Sequence, residues 1–482
     1  MTAETLDDLH GPLWEHFQAL SRIPRPSRQE ARARDYVAAV ADSRNLRWAI
    51  DEIGNIVVYL PATPGMEKRD TVIVQNHLDM VTVQARDKVH DFTRDPLQLR
   101  LADGWLLADR TTLGADNGIG CAAALALISA SDLVHPALEL LFTVDEETGM
   151  GGARHLDAEL LCGKRLLNLD TEDWGELYIG CTGGRGWSME CEFGLDLVPD
   201  DHVGGELSLV GLAGGHSGLD IHLQRGNAIQ LLADWLNRAG LLGVRLAQLD
   251  AGIAHNVIPR DGRVRFSCPG RALPALRALN DQLLQVWRSY LPEADAALQL
   301  SMESVRVERV LPEESQTLLC RALLMLPHGV ERYATAQAGT MASLSSNLGV
   351  ARLEDGALYI ELSLRYFRDS EAESLTAKVL SVSDSCGFST ARILNYPGWV
   401  PDPDSQLLQR ACEVYQRRFG EPPRIKLIHA GLECGVLKHR LGELEVISFG
   451  PTIRDAHSPG ERLEVATVAP FWQYLTDLLA TL

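Results

Sequence analysis

The sequence predicts an α/β protein in which one domain is interrupted by an inserted α+β region. In the first part of the chain, short and continuously apolar strands alternate with helices, which is typical of a sheet covered by helices on both faces. This pattern stops near residue 184 and returns near residue 397. We therefore expect a discontinuous domain formed by residues 1–183 and 398–482, with residues 184–397 inserted between its halves.

The discontinuous domain shows strand and helix patterns in regular succession. A helical period runs through residues 28–43, and the stretch CAAALALISA predicts an apolar helix over residues 121–130. The Pro-rich segment YPGWVPDPDS marks the return from the insertion, and a helix, a strand and a last helix follow it. Apolar runs predict buried strands at residues 56–60, 71–75, 137–144, 165–169 and 443–449. These elements predict a mixed, mostly parallel sheet between helices.

The inserted region repeats a strand and helix order. Its first part predicts a strand, a helix, two strands, a helix and a strand. From about residue 312 the prediction is a helix, two strands, a helix and a strand. We therefore expect two ferredoxin-like α+β units, although the two stretches share no repeated letters.

Composition restricts the partners and the compartment. The chain has 482 residues, a formal net charge of −20 and no prominent basic cluster, which argues against nucleic acid and anionic membranes as partners. The N-terminal stretch lacks the features of a secretory signal, and no apolar run approaches the roughly 20 residues of a membrane span. The nine cysteines are scattered without a C-x-x-C pair, which is typical of reduced thiols. We therefore expect a cytoplasmic protein.

Polar side chains follow the predicted strands where those strands end, or lie in the turn into a predicted helix. Because ligands bind outside the carboxyl ends of the strands in an open α/β sheet, such residues converge although they are distant in sequence. Taken singly, each motif is better explained by a surface pair or a helix cap. The motifs NHLDM, GADNG, DEETG, NLDTED and GPTIRDAHSPGE supply His77, Asp79, Asp116, Glu146, Glu147, Asp170 and His457.

The combination of these side chains predicts a metal centre. Two imidazoles and several carboxylates at one sheet edge would be costly to bury without a cation, and mixed His/Asp/Glu ligation suits zinc, cobalt or manganese. Asp116 lies in a Gly-rich turn, and its two oxygens allow it to bridge two metals. Asp79 is placed to orient the ring of His77, and Glu146 to accept and return a proton.

The motifs resemble those of the co-catalytic zinc metallopeptidases, a family that includes aminoacylase, carboxypeptidase G and the carnosine dipeptidases. The resemblance spans nearly the whole chain, through NHLDMV, GADNGIG, DEETGMGGA, NLDTED, GGHSGLDIHLQRGNA, HNVIPR and HAGLECG. It implies a zinc-peptidase catalytic domain interrupted by a lid domain. It also implies two divalent metal ions, zinc before cobalt or manganese. One is expected on His77, Asp116 and Asp170, and the other on Asp116, Glu147 and His457.

The resemblance further implies roles in catalysis and substrate binding. Asp79 and Glu146 are expected as the catalytic pair, and the peptide bond after Asp116 is expected to be cis. His216 in GGHSG is expected to polarise the scissile carbonyl, in its own chain's site or in that of a partner subunit. Further candidates for substrate binding are Asn256, Arg260, Gly435 and, more weakly, Arg365. A purely structural role explains the presence of each of these four residues equally well.

The implied reaction is hydrolysis of unblocked dipeptides by a hydroxide that the two metals activate, with Glu146 as general base. Small peptides are the expected partners, and Xaa-His dipeptides such as carnosine are the first candidates. The stretch TVQARDKVHDF departs from the family's pattern, which leaves the side-chain preference open. The alternatives are an N-acyl amino acid deacylase, an aminotripeptidase, or an inactive binding or scaffold protein that retains the fold. We expect a homodimer.

Overall fold

A computed structural model describes residues 5–130, 132–334 and 341–482. The chain divides into two compact units, and each is formed by separate stretches of the sequence. The first unit consists of Met1–Cys181, Trp399–Leu427 and Leu432–Leu482, and the second of Thr182–Gly398 and Ile428–Gly431. None of the helices in the described ranges is long and apolar enough to cross a membrane.

The first unit begins with helices and strands that alternate along the chain. In order they are α1 (Pro12–Ser21), α2 (Ala31–Ser43), β1 (Arg47–Ile50), β2 (Ile56–Leu60), β3 (Val72–His77), β4 (Leu99–Ala102), β5 (Trp105–Ala108), α3 (Ala115–Ser129), β6 (Leu138–Thr143), α4 (Gly151–His155), β7 (Arg165–Asn168) and β8 (Glu176–Cys181).

The described part of the second unit contains longer strands and four α-helices. In order they are β9 (Gly183–Glu192), β10 (Asp196–Leu197), β11 (His202–Val210), β12 (Gly215–His216), α5 (Ala228–Gly240), β13 (Arg245–Ala251), β14 (Val257–Ile258), β15 (Gly262–Pro269), α6 (Leu273–Tyr290), β16 (Gln299–Ser304), β17 (Arg309–Val310), α7 (Glu313–Met325), β18 (Gly329–Tyr333), β19 (Ala342–Glu354), β20 (Ala357–Tyr366), α8 (Asp369–Cys386) and β21 (Ser389–Tyr396).

The chain then completes the first unit. The remaining elements are α9 (Gln406–Phe419), β22 (Arg424–Ile428), α10 (Glu433–Leu441), β23 (Glu445–Ser448), β24 (Ile453–Arg454), β25 (Arg462–Glu464) and α11 (Val465–Leu479). Single turns of 3-10 helix lie at Leu6–Asp8, Ala158–Leu160, Ile221–Leu223, Gly270–Ala272 and Glu293–Asp295.

The main sheet of the first unit is mixed, with parallel strands at its centre. Its order is β1-β2-β6-β3-β7-β23-β8-β22. Strand β3 runs parallel to β6 and β7, and β7 runs parallel to β23, whereas the pairs β1–β2, β2–β6 and β8–β23 are antiparallel. Every residue of β3 and β6 is buried, as expected for strands covered on both faces. The predicted mixed α/β sheet is confirmed, and four adjacent strands end at one edge.

Helix α3 packs closely on this sheet. It is apolar on almost every side and is buried along most of its length, which is typical of a helix inside a core. Gly120 allows the close approach, because a Cβ atom there would lie 2.6 Å from the carbonyl oxygen of Leu169 and would also meet the side chain of Asn76. The start of α3 is therefore held next to the ends of β3 and β7.

The second unit has one continuous sheet that runs through both of the predicted α+β units. The order is β16-β11-β15-β13-β19-β20-β9-β21, with β18 paired to β19. Antiparallel pairing of Leu249–Ala251 with Ala351–Leu353 joins the two halves. Buried aromatic side chains, including Trp235, Phe266 and Trp287, lie in its core. The expected order of helices and strands is present, but backbone pairing fuses the two halves into a single layer.

Candidate metal centre

The predicted ligands of the first unit lie beyond the ends of its parallel strands. His77 is the last residue of β3, Glu146 and Glu147 follow β6, and Asp170 follows β7. His457 lies in the loop between β24 and β25. Because β3, β6 and β7 are adjacent in the main sheet and run in the same direction, the sheet brings the side chains at their ends to one edge. His457 reaches the same edge from the separate sheet that contains β24 and β25.

Asp116 lies between the two imidazoles and presents one oxygen to each. Its Oδ1 atom is 3.0 Å from Nε2 of His77, and its Oδ2 atom is 3.2 Å from Nε2 of His457. Nε2 of His77 is also 3.3 Å from Oδ1 of Asp170, and Nε2 of His457 is 3.2 Å from Oε2 of Glu147. The peptide bond between Asp116 and Asn117 is cis, as expected.

These side chains form two three-residue groups that could each hold a metal ion. One group is His77, Asp116 and Asp170, and the other is Asp116, Glu147 and His457. Within each group the candidate ligand atoms lie within 4.8 Å of one another. The ligand atoms of His77, Glu146 and Glu147 also lie within 4.8 Å of one another. Asp116 is the one residue that the first two groups share.

Asp79 faces the ring of His77 and also accepts hydrogen bonds from the turn after β6. Its Oδ1 atom is 3.4 Å from Nδ1 of His77, so it faces the ring nitrogen that points away from Asp116. The backbone N–H groups of Glu146 and Glu147 donate to its two oxygens, and the hydroxyl of Ser27 donates to Oδ2. One carboxylate thus fixes the direction of the His77 ring and the start of the DEETG turn.

The site carries more buried negative charge than its own side chains balance. Hydrogen bonds to Asp116 and Glu147 raise the pKa of His457 to about 11. Burial opposes a charge on His77, yet Asp170 and the other carboxylates raise its pKa well above the usual value. Burial also raises the pKa of Asp170 to about 7 and that of Glu146 well above its usual value. Without a bound cation, these imidazoles and carboxyl groups keep their protons up to a higher pH, which offsets part of the negative charge of the site.

The donor set fits divalent cations. Oε1 of Glu147 is buried and has no hydrogen-bond partner among the described residues, which is costly for a carboxylate oxygen unless a cation binds there. Imidazole and carboxylate donors without thiolates suit zinc, cobalt or manganese in a catalytic role. His77, Asp116, Glu147, Asp170 and His457 could therefore hold one or two such ions.

Sequence reasoning overlooked three buried charged residues next to this site. Glu433, in the motif HAGLECG, accepts hydrogen bonds from Gln75 and Thr143 at 2.6 Å each. Burial raises its pKa to about 8. Arg25 and Glu461 bind the backbone of the turns that carry Asp79 and Asp116. Glu433 and Glu461 lie within the motifs HAGLECG and GPTIRDAHSPGE, and this position is the sequence signal that could have identified them. Arg25 lies in none of the quoted motifs.

Two of the residues expected to bind substrate meet in the second unit. Nη2 of Arg365 is 3.4 Å from Nε2 of His216, and Arg365 also donates to the hydroxyls of Ser217 and Tyr396. Nδ1 of His216 accepts the backbone N–H groups of Gly218 and Leu219, at 3.3 and 3.2 Å. Because the guanidinium carries only N–H donors, N–H groups face both ring nitrogens of His216.

The other expected substrate residues have local partners. Arg260 is exposed and pairs with the neighbouring Asp261 at 3.1 Å. The carbonyl oxygen of Asn256 accepts the N–H group of Ser217 at 2.8 Å. In the first unit, Gly435 lies in the first turn of α10, where its N–H group donates to the carbonyl oxygen of Leu432 at 3.1 Å. Roles in substrate binding for these three residues stay predictions.

Acid is expected to destabilise the second unit through His429. This residue is 6% exposed, its Nε2 atom is 2.7 Å from the Ser345 hydroxyl, and burial lowers its pKa to about 3. In the unfolded chain the His429 imidazole binds a proton below a pH of about 6.5, whereas in the folded chain it stays neutral. The contribution of neutral His429 to the free energy of unfolding is therefore complete above that pH and decreases below it. The loss is about 1.4 kcal/mol per pH unit until the folded pKa is reached.

The measurement is the free energy of unfolding in urea between pH 7 and pH 5. A His429→Gln variant should lose about 2 kcal/mol less than the natural chain over this range. The Ser345→Ala variant keeps the imidazole and should retain the steeper dependence. Parallel curves for His429→Gln and the natural chain would show that His429 does not cause the acid sensitivity.

Comparison with known proteins gives matches over most of the chain. The family model described as peptidase family M20/M25/M40 matches residues 73–481. The chain is 37% identical over 470 residues to the cytosol non-specific dipeptidase of Escherichia coli (strain K12), a match that covers 97% of this chain and 97% of that protein.

Solved structures give a consistent result. The aminoacylhistidine dipeptidase from Vibrio alginolyticus matches with a TM-score of 0.87 and 36% identity, over 98% of this chain and 96% of that one. Human carnosine dipeptidase 1 matches with a TM-score of 0.53 and 13% identity, over 98% of this chain and 96% of that one, and indicates the fold alone. The motifs quoted above resemble those of bacterial aminoacyl-histidine dipeptidase, also called Xaa-His dipeptidase or peptidase D, and this resemblance is confirmed.

Proposed function

Because the chain belongs to peptidase family M20/M25/M40, we propose that it is a metal-dependent dipeptidase that hydrolyses unblocked dipeptides at the edge of the first unit's main sheet. The 37% identity with the cytosol non-specific dipeptidase of Escherichia coli, over nearly the full length of both chains, supports this activity. Xaa-His dipeptides are the first substrates to test, because the Vibrio alginolyticus relative is an aminoacylhistidine dipeptidase.

The observation that carries this proposal is the position of Asp116 between two imidazoles. One carboxylate that presents Oδ1 to His77 and Oδ2 to His457 is the arrangement expected of a residue shared by two metal ions. We propose His77, Asp116 and Asp170 as ligands of one ion and Asp116, Glu147 and His457 as ligands of the other, with zinc as the first metal to test. When bound, the ions supply Lewis acidity at the scissile carbonyl and lower the pKa of water.

The protein's own residues then have distinct roles. Glu146 is proposed to accept a proton from the attacking water and to donate it to the leaving amine. Asp79 holds the ring of His77 in one orientation and fixes the backbone of Glu146 through a hydrogen bond of 3.1 Å. His216 is proposed as a hydrogen-bond donor to the carbonyl oxygen.

The wider organisation remains part of the proposal. We take residues 1–183 and 398–482 as the catalytic domain and residues 184–397 as the lid. A homodimer, in which His216 serves its own or a partner's site, stays a prediction. A cytoplasmic location is supported by the name of the Escherichia coli relative, a cytosol dipeptidase.

A substrate panel tests the proposed activity. The purified chain is incubated with zinc, cobalt or manganese and with Xaa-His dipeptides, other dipeptides, a tripeptide and N-acetyl amino acids, and released amino acids are measured. We expect dipeptides with a free amino group to be cleaved fastest. A faster reaction with an N-acetyl amino acid or a tripeptide would identify a deacylase or an aminotripeptidase. No turnover of any substrate with any metal would favour an inactive scaffold.

A further inference from the structure

The turn that carries Asp116, residues 113–117 and here called the Asp116 turn, is held by two buried charged side chains. Arg25 and Glu461 are each 2% exposed. Neither belongs to the groups of candidate metal ligands. Each binds backbone atoms of the Asp116 turn and comes from a part of the chain distant in sequence.

Glu461 caps the helix that begins in the Asp116 turn. Its Oε2 atom accepts the N–H groups of Leu113 and Gly114 at 2.8 and 3.0 Å. Its Oε1 atom accepts those of Ala115 and Asp116 at 2.8 and 3.3 Å. These N–H groups lie at the irregular start of α3, where Asp116 and Asn117 have non-helical backbone angles, and the N-cap residue Gly114 has no side chain to accept them. A carboxylate at this end also interacts favourably with the helix dipole.

Glu461 also belongs to the loop that carries His457. His457 has a φ of +63°, a left-handed conformation that costs free energy for a residue other than glycine. The loop is closed by a hydrogen bond of 2.7 Å from Ser458 to the carbonyl of Asp455 and by an ion pair of 2.9 Å between Arg462 and Asp455. One carboxylate therefore connects the His457 loop to the Asp116 turn.

Arg25 connects the Asp116 turn to the end of β3. Its Nη1 atom donates to the carbonyl oxygens of Leu78 and Asp79 at 2.8 Å each, and its Nη2 atom donates to that of Gly114 at 2.5 Å. A Cβ atom at Gly114 or Gly118 would lie 2.6 or 2.7 Å from Nη2. Glycine at both positions thus makes room for the guanidinium beside the turn.

We propose that Glu461 and Arg25 are positioning residues that hold His77, Asp116 and His457 in place before a cation binds, so that metal affinity depends on them. The inference rests on the proposed function, in which Asp116 is the shared ligand. Without Glu461, four N–H groups of the turn lose their acceptor, and the His457 loop keeps only the contact between His457 and Asp116 as a side-chain link to the turn. Ligands that must then be ordered during binding give a weaker complex.

The test is a zinc titration of the metal-free protein against a competing chelator. In the Glu461→Gln variant an amide NH₂ replaces one oxygen and faces N–H groups that need an acceptor, so we expect the dissociation constant for zinc to rise about 10–100-fold. Arg25→Lys replaces the planar guanidinium, which binds three carbonyl oxygens, with a single ammonium group, so the dissociation constant for zinc is expected to rise in this variant as well. Glu461→Asp should retain more affinity than Glu461→Gln. Cobalt absorption spectra of the same variants report changes at the ligands.

Glu139→Gln is the matched control. Glu139 is 4% exposed and accepts the backbone N–H groups of Cys162 and Gly163 at 2.9–3.0 Å, but it lies near the start of β6, at the far end of the strand from the site. This variant should lose stability like Glu461→Gln and keep the natural affinity for zinc. Affinity lost only in the Glu461 and Arg25 variants supports the inference.

Other outcomes separate the inference from the proposed function. Natural affinity in folded Glu461→Gln, or equal loss in Glu139→Gln, overturns the positioning role. If Glu461→Gln does not fold, Arg25→Lys and Glu461→Asp decide: natural zinc affinity in both also overturns it. A natural chain that binds no zinc contradicts the proposed function itself, and the inference fails with it.

Discussion

Replacing Glu146 with alanine is expected to lower kcat by about 10²–10⁴-fold, the usual contribution of a general acid–base residue. Metal content should stay near that of the natural chain, because Glu146 is absent from the two ligand groups that share Asp116. Its removal also takes a buried carboxylate out of a cluster with excess negative charge, so the free energy of unfolding of the metal-free protein should not fall.

Steady-state kinetics with a cleaved dipeptide and elemental analysis of the same preparation check this prediction. The Glu139→Gln variant, altered near the opposite end of β6, is the control and should keep the natural kcat. Near-normal turnover in Glu146→Ala would mean that another group handles the proton. Loss of metal in that variant would instead make Glu146 a ligand.

Replacing Asp116 with asparagine is expected to have the largest effect. The amide keeps the size of the side chain but removes the negative charge and one of the two oxygens that face His77 and His457. Both ion sites lose their common ligand, so metal content should fall towards zero and turnover by at least about 10³-fold.

The control for Asp116→Asn is Asp173→Asn. Asp173 lies close by in the NLDTED motif but pairs with Arg454 at 2.8 Å and belongs to none of the ligand groups. Elemental analysis and kinetics of both variants compare the loss of a shared ligand with the loss of a nearby charge. If Asp116→Asn still binds two ions, the carboxylate is not shared between them.

The candidate ligands could be found from the sequence because each lies in a short motif that follows an apolar strand or, for Asp116, leads into an apolar helix. His77 ends the strand VIVQNH, and Asp170 follows RLLN. Strand ends converge by the rules of parallel sheets, so local patterns were enough to predict a common site. The central mixed sheet followed from the same apolar runs.

The remaining features depend on contacts that leave no local pattern. Glu461 binds the start of α3 from a distance of 346 residues along the chain. Its partners are backbone N–H groups, which every residue type except proline has, so the sequence does not mark them. Arg25 likewise binds three carbonyl oxygens. The pairing of β13 with β19, which fuses the second unit into one sheet, is set by backbone hydrogen bonds between distant strands. Such contacts appear only when the chain is folded.

The most direct test of the central claim is anomalous diffraction at the zinc edge from crystals grown with zinc. The account predicts two peaks on opposite sides of the Asp116 carboxylate, one next to His77 and the other next to His457. A single peak, or peaks remote from Asp116, would contradict it.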